Sequence, residues 1–167
     1  MRIKGMTLVA FAMIFLAACG QGVNVPTEGE QTEEQVAEGE KRGEAQLDGL
    51  HVVVDTQRGN ETIDVKMLLS NELNEALELE FASGQQYELT LTDPNENVVY
   101  RYSDDRMFTM AIIQETLLPG ESIEWNEVIP IQAMEAGAYE LKAEVLVQAI
   151  NGKAVEPLTT TIAVNLQ

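Results

Sequence analysis

The chain has 167 residues, of which 28 are Asp or Glu and 10 are Lys or Arg, giving a formal charge of −18 at pH 7. That length suits one ordinary domain with appendages and is too short for two lobes closing on a solute. The acidic balance excludes phosphate-backbone binding, which needs clustered cations, and a single Cys with a single His excludes an intramolecular disulfide and multi-Cys or multi-His metal centres.

Residues 1–19 read MRIKGMTLVAFAMIFLAAC. Arg2 and Lys4 precede an almost wholly apolar run over 7–16, followed by the small residues Ala17 and Ala18. This is the layout of a secretory signal. The run is shorter than the ~20 residues that span a bilayer as a helix. Its end, Leu16-Ala17-Ala18-Cys19, resembles the bacterial lipobox. That resemblance implies a lipoprotein in which Cys19 carries diacylglycerol and becomes the first mature residue; the alternatives are a plain cleaved signal or an apolar leader with an accidental Cys. Two acyl chains of the palmitate type anchor firmly where one binds only reversibly. The expected place is therefore the extracytoplasmic face of a bacterial cell membrane. No cofactor is expected beyond that covalent lipid.

Residues 20–47 combine seven Glu from Glu28 to Glu44 with Gly22, Gly29, Gly39, Gly43 and Pro26. Low hydrophobicity with like charge does not offset the entropy of ordering, so the expectation is a disordered acidic linker. A flexible chain of that length spans roughly 30 Å. Its charges read as a solvated spacer, with an acidic docking segment as the other reading.

From Asp48 to the end, apolar residues recur every second position. Ile63, Val65, Met67 and Leu69 form one such row. Leu77, Leu79 and Phe81 form the next, then Tyr87, Leu89 and Leu91. Val98, Tyr100 and Tyr102 follow, then Tyr139, Leu141, Ala143, Val145 and Val147, and finally Ile162, Val164 and Leu166. Period two marks strands with one buried face. Turn signals separate them at Arg58-Gly59-Asn60, Ser83-Gly84, Asp93-Pro94-Asn95, Pro119-Gly120, Ala136-Gly137 and Asn151-Gly152. Asn-Gly is a strong hairpin signal, Pro-Gly suits a type II turn, and Gly84 is expected to supply a positive φ. The predicted fold is all-β, an antiparallel β-sandwich of seven to nine strands over 48–167.

Five segments of this domain stand together in order: Met67-Leu68-Leu69-Ser70-Asn71, then Leu79-Glu80-Phe81-Ala82-Ser83-Gly84-Gln85-Gln86-Tyr87-Glu88-Leu89 with its Phe-x-Ser-Gly-Gln-x-Tyr pattern, then Val98-Val99-Tyr100-Arg101-Tyr102-Ser103 with Met107-Phe108, Leu118-Pro119-Gly120-Glu121-Ser122, and Gly137-Ala138-Tyr139-Glu140-Leu141. In that order they resemble the BsuPI family, named for an intracellular proteinase inhibitor of bacilli. The third is Trp-rich in the family and Tyr-rich here. The resemblance implies an immunoglobulin-like sandwich and a role in restraining a serine protease. The named inhibitor works inside the cell, whereas this chain carries an export leader. Most of these residues are core and turn residues, which specify a fold rather than a function.

An inhibitor that mimics substrate needs an exposed loop ordered before binding. The best candidate is Ser103 followed by Asp104, Asp105, Arg106, Met107 and Phe108, with the Asn151-Gly152-Lys153 tip second. The competing reading makes Asp104 and Asp105 an ordinary turn and returns Met107 and Phe108 to the core. Asp93-Pro94-Asn95-Glu96-Asn97 has the spacing of a calcium loop, but Val98 stands where that loop needs Gly, so a hairpin turn is expected. His51 has no evident partner beside the valines of 52–54. No nucleophile elbow, His-Glu-x-x-His pair or phosphate loop is present, and the chain reads as non-enzymatic. The leading function is a membrane-anchored proteinase inhibitor with an extracytoplasmic serine protease as partner. The alternative is a non-inhibitory binding or structural lipoprotein of the envelope.

Overall fold

The computed structural model describes residues 39–167. Cys19, the leader and linker residues 20–38 lie outside that range. The described residues form twelve strands: β1 Glu40–Leu47, β2 Leu50–Arg58, β3 Thr62–Asn71, β4 Leu77–Phe81, β5 Tyr87–Thr92, β6 Val98–Arg101, β7 Ile113–Leu117, β8 Ser122–Pro130, β9 Gly137–Val145, β10 Val147–Ile150, β11 Lys153–Ala154 and β12 Leu158–Leu166. Every pairing is antiparallel, in three four-stranded sheets ordered β1-β2-β3-β8, β11-β10-β4-β7 and β12-β9-β5-β6.

The predicted alternation is the one that buries the core. In β12 each odd position of LTTTIAVNL is buried and each even one exposed. The inward rows of all three sheets merge in one apolar cluster, from Val54, Ile63 and Leu69 to Phe81, Leu89, Leu141 and Val145. Burying each such side chain contributes about 1.5–3 kcal/mol. Asn71 is a rare buried polar residue here, and it is satisfied. Its Nδ2 donates to the carbonyls of Glu75 and Leu117, and its Oδ1 accepts from the Leu73 N–H. A strand ending in this Asn thereby fixes the two loops that flank it.

The strand count exceeds seven to nine for identifiable reasons. One extended run changes sheets at Leu146: β9 pairs with β5 and β12, then β10 pairs with β4. The short β11 completes the Asn151-Gly152 hairpin, with both residues at positive φ (50 and 74°). The largest departure is β1, which occupies the last eight residues expected to be linker and pairs along its whole length with β2. Asp48-Gly49, at φ 46 and 88°, closes that hairpin, so the folded body begins ahead of residue 48. The inward row of β1 is Gly43, Ala45 and Leu47, too slight to read as period two. Gly43 is small for a reason: a Cβ there would lie 2.7 Å from both Ile162 Cγ1 and Thr160 Oγ1 of β12. Strands β1 and β12 thus close one side of the sandwich.

The other turns behave as their chemistry dictates. Gly120, at φ 75°, follows Pro119, and the Glu121 N–H donates to the Leu118 carbonyl, a type II arrangement. Asp93 Oδ1 accepts from the N–H groups of Asn95 and Asn97, both at 2.8 Å. Its carboxylate is taken up by its own hairpin turn between β5 and β6.

Candidate functional site

The segment 81–87 builds the foundation of the site. Phe81 ends β4 and Tyr87 starts β5, both buried. Between them Ser83 Oγ accepts from the Gln85 N–H at 3.1 Å, and Gln85 Nε2 donates to Glu88 Oε2 at 2.9 Å. The other oxygen of Glu88 accepts the Ser103 N–H at 3.2 Å. Gly84 donates its N–H to the Thr109 carbonyl at 2.9 Å. Gly84 is not at positive φ, contrary to expectation. It is Gly because a Cβ would fall 2.6 Å from Thr109 Oγ1. The motif therefore holds the 102–112 segment at both ends of its outward excursion.

That segment connects β6 to β7. The Tyr102 N–H donates to the Leu89 carbonyl at 2.9 Å, and two successive turns follow, Asp104 N–H to Arg101 O and Arg106 N–H to Ser103 O, both 3.3 Å. Arg106 then reaches across to β8. Its Nη2 and Nη1 donate to Glu127 Oε1 and Oε2 at 2.8 and 3.0 Å. The guanidinium also lies over the Tyr102 ring, 3.9 Å from its centroid, a geometry worth about 0.5–1 kcal/mol. Phe108 packs beside Tyr102 at 5.8 Å between ring centroids. Tyr102 in turn lies 4.2 Å from Tyr87, and Tyr87 5.6 Å from Trp125. Trp125 Nε1 donates to Gln86 Oε1 at 3.2 Å.

Met107, between the two anchored residues Arg106 and Phe108, is 100% exposed. Met110 is 90% exposed and Ile112 is exposed as well. The five residues singled out from sequence thus divide. Asp104 and Asp105 form the turn and face solvent, Asp104 lying 4.0 Å from Arg101. Arg106 is bound to the body of the domain, Phe108 is half-buried, and Met107 stands free at the tip instead of returning to the core.

Glu127 is the site residue that sequence reasoning passed over. Its side chain is 13% exposed. It lies on the same row of β8 as Ile123, Trp125 and Ile129, the inward row. A carboxylate in phase with an apolar row was the signal. Tyr100 Oη donates to it at 3.3 Å, with Tyr87 Oη at 3.5 Å. Burial first, then the Glu127 charge, pushes the Tyr100 phenol up to about 12. The hydrogen bond to Glu127 is the main cause that raises the Arg106 guanidinium above its ordinary range. The cluster joins β8, an edge strand of one sheet, to β6, an edge strand of another. An inward charge on an edge strand also discourages pairing with other chains.

The remaining candidates are structural. Lys153, at the second hairpin tip, lies 3.4 Å from Asp48. His51 Nδ1 is 2.9 Å from Glu72, and Nε2 is 3.5 Å from Glu44. A cleft of about 750 Å³ has Pro94, Val99, Pro130, Met134 and Tyr139 in its walls, with Asp93 and Glu135 as its carboxylates. Asp93 is already engaged in its turn, so the two offer no poised acid–base pair.

The family model for BsuPI, described as intracellular proteinase inhibitor, matches residues 50–150. The chain belongs to the BsuPI family. The matched stretch runs from β2 to the end of β10 and includes the whole 102–112 loop with its Glu127 anchor. No curated protein matches the chain in sequence. Among solved structures, the BsuPI chain is similar to β-glucosidase 3B from Thermotoga neapolitana. The glucose complex matches with 17% identity over 68% of this chain at a TM-score of 0.34. The glycerol complex matches with 16% identity over 68% at the same score. This chain spans 16% of the length of each.

Proposed function

We propose that this BsuPI chain is a lipid-tethered proteinase inhibitor held through Cys19 at the extracytoplasmic face of a bacterial membrane. Loop 102–112 is the surface it offers to a serine protease, and Met107 is the side chain that fills the protease's apolar specificity pocket. The protein acts by binding, not by catalysis.

The observation that carries this reading is the contrast between Met107 and its two neighbours. Arg106 is fixed by two hydrogen bonds to Glu127 and Phe108 by contact with Tyr102. A loop held in this way has lost its freedom before it meets a partner. Each side chain ordered in advance spares about 0.5–1.5 kcal/mol of binding free energy. Arg106 faces its own domain, so the matching protease is one that accepts a large unbranched apolar side chain, not one that requires a cation. The like charge of Glu28, Glu30, Glu33, Glu34 and Glu38 supports the tethered part of the reading, because anionic lipid repels it and a lipid anchor rather than a surface contact must hold the protein.

The test is inhibition kinetics of the full chain, in detergent, against a subtilisin-type protease that cleaves after large apolar residues. Inhibition is expected, and Met107→Asp should weaken it by about tenfold or more, since a carboxylate is costly to desolvate in an apolar pocket. An intact chain that slows no such protease refutes the inhibitor. Radiolabelled palmitate should attach to the wild-type chain and not to Cys19→Ser; labelling of neither refutes the tether.

A further inference from the structure

We infer that Met107 and Met110 form an oxidation switch, by which peroxide releases the partner held at this loop. The inference rests on the inhibitory reading above and adds its regulation. The described residues hold four methionines with unequal surroundings. Met67 is buried in the core and Met134 packs half-buried against it. Met107 and Met110 stand in the open.

A thioether in that position is exposed to oxidants and ready for a two-electron reaction. The sulfur lone pair attacks one oxygen of hydrogen peroxide. The S–O bond forms as the O–O bond breaks, and the transferred oxygen gives its proton to the departing hydroxide, which leaves as water. Sulfur is oxidised to the sulfoxide and the peroxide is reduced. The product replaces a flexible apolar tip with a polar one. A pocket that accepts Met107 would then have to desolvate the sulfoxide oxygen, which lowers affinity by about tenfold or more.

The geometry confines the damage to the tip. The loop is held by the Arg106–Glu127 pair, the Phe108–Tyr102 contact and the Gly84–Thr109 hydrogen bond. None of these uses a methionine side chain, so oxidation changes the chemistry of the loop without releasing it from the domain. Sulfoxide reductases reverse the step.

The experiment treats the full chain with dilute hydrogen peroxide and follows each methionine by peptide mass spectrometry. Inhibition of the same subtilisin-type protease is measured in parallel, for wild type and for Met107→Leu with Met110→Leu. Oxidation of Met107 and Met110 ahead of Met134 and Met67 is expected, with loss of inhibition tracking the Met107 sulfoxide. Whatever inhibition the double variant shows before peroxide should be unchanged after it. Equal oxidation of all four methionines, or full inhibition by chain completely oxidised at Met107, overturns the switch and leaves the inhibitor standing. Failure of the untreated chain to inhibit overturns the inhibitory reading and the switch with it.

Discussion

Arg106, in the loop between β6 and β7, donates both arms of its guanidinium to Glu127, on the edge strand of another sheet. Planar pairs of this kind fix orientation as well as distance. The contact spans 21 residues of sequence, and it turns an otherwise irregular segment into a shaped surface. It also explains the inward carboxylate of β8, which would be an unpaired charge at the core margin without Arg106, Tyr100 and Tyr87.

Replacing Glu127 with Gln removes the charge and keeps the shape. Glu127 is mostly buried while Arg106 is partly open to water, so the loss should be modest, about 1–2 kcal/mol. For a domain of this size that is a fall in Tm of about 2–8 °C. The loop should suffer more than the core. Hydrogen exchange at residues 103–110 should accelerate while β3 and β9 stay protected. Uniform acceleration across the sheets would show that Glu127 supports the sandwich and not the loop.

The sandwich was legible because its strands alternate strictly and Asn151-Gly152 and Pro119-Gly120 carry their turn geometry in their composition. Strand β1 was not legible. Its inward residues are Gly43 and Ala45 with only Leu47 of any size, Gly43 because β12 lies too close for more, and a small-residue row among four charged residues looks like linker. The Asp48-Gly49 turn was the available clue. At the site, the candidate loop was readable from its position between strands, but the roles of its residues were not. Which of Arg106, Met107 and Phe108 points outward depends on Glu127 and Tyr102, which approach from other strands, and one-dimensional spacing does not carry that information.

Gly84→Ala tests the foot of the loop. The added Cβ would meet Thr109 Oγ1 at 2.6 Å and the Thr109 N at 3.4 Å. The first is a clash and the second an ordinary contact, so the substitution should destabilise by about 1–3 kcal/mol. Thr109→Ala in the same chain removes the offending oxygen and should restore most of the loss. A double-mutant cycle by urea denaturation measures the coupling. Additive effects would mean that Gly84 is required for its backbone and not for the approach of Thr109.

Gly43→Ala asks whether β1 is part of the folded body. Its Cβ would fall among Ile162 Cγ1, Ile162 Cδ1 and Thr160 Oγ1, which are packed core-facing atoms with little room to give. The expected cost is about 1–3 kcal/mol, and thermal unfolding should remain a single transition. A chain beginning at residue 48 should be less stable than one beginning at residue 39, since it uncovers Ile162 and leaves the β2 edge unpaired. Equal melting temperatures for the two would show that β1 contributes nothing and that the domain starts at residue 48 after all.

Alkaline pH should loosen the same corner from its tyrosines. Burial and the Glu127 charge hold Tyr100 at about 12, and Tyr87 is raised too, by burial first and then by Tyr102. In the unfolded chain both ionise near about 10. Because the folded values lie above the unfolded ones, the unfolded chain sheds these protons first and stability falls as pH rises. The contribution is complete below about pH 10 and is lost on the way to 12. Arg106 stays protonated throughout, since Glu127 raises it further, so its ion pair is not what fails. Thermal melts should therefore be level near pH 8–9 and drop steeply above about 10. Tyr100→Phe keeps the ring and removes the phenol, and it should flatten part of that drop. A drop of the same depth in Tyr100→Phe would place the alkaline sensitivity elsewhere.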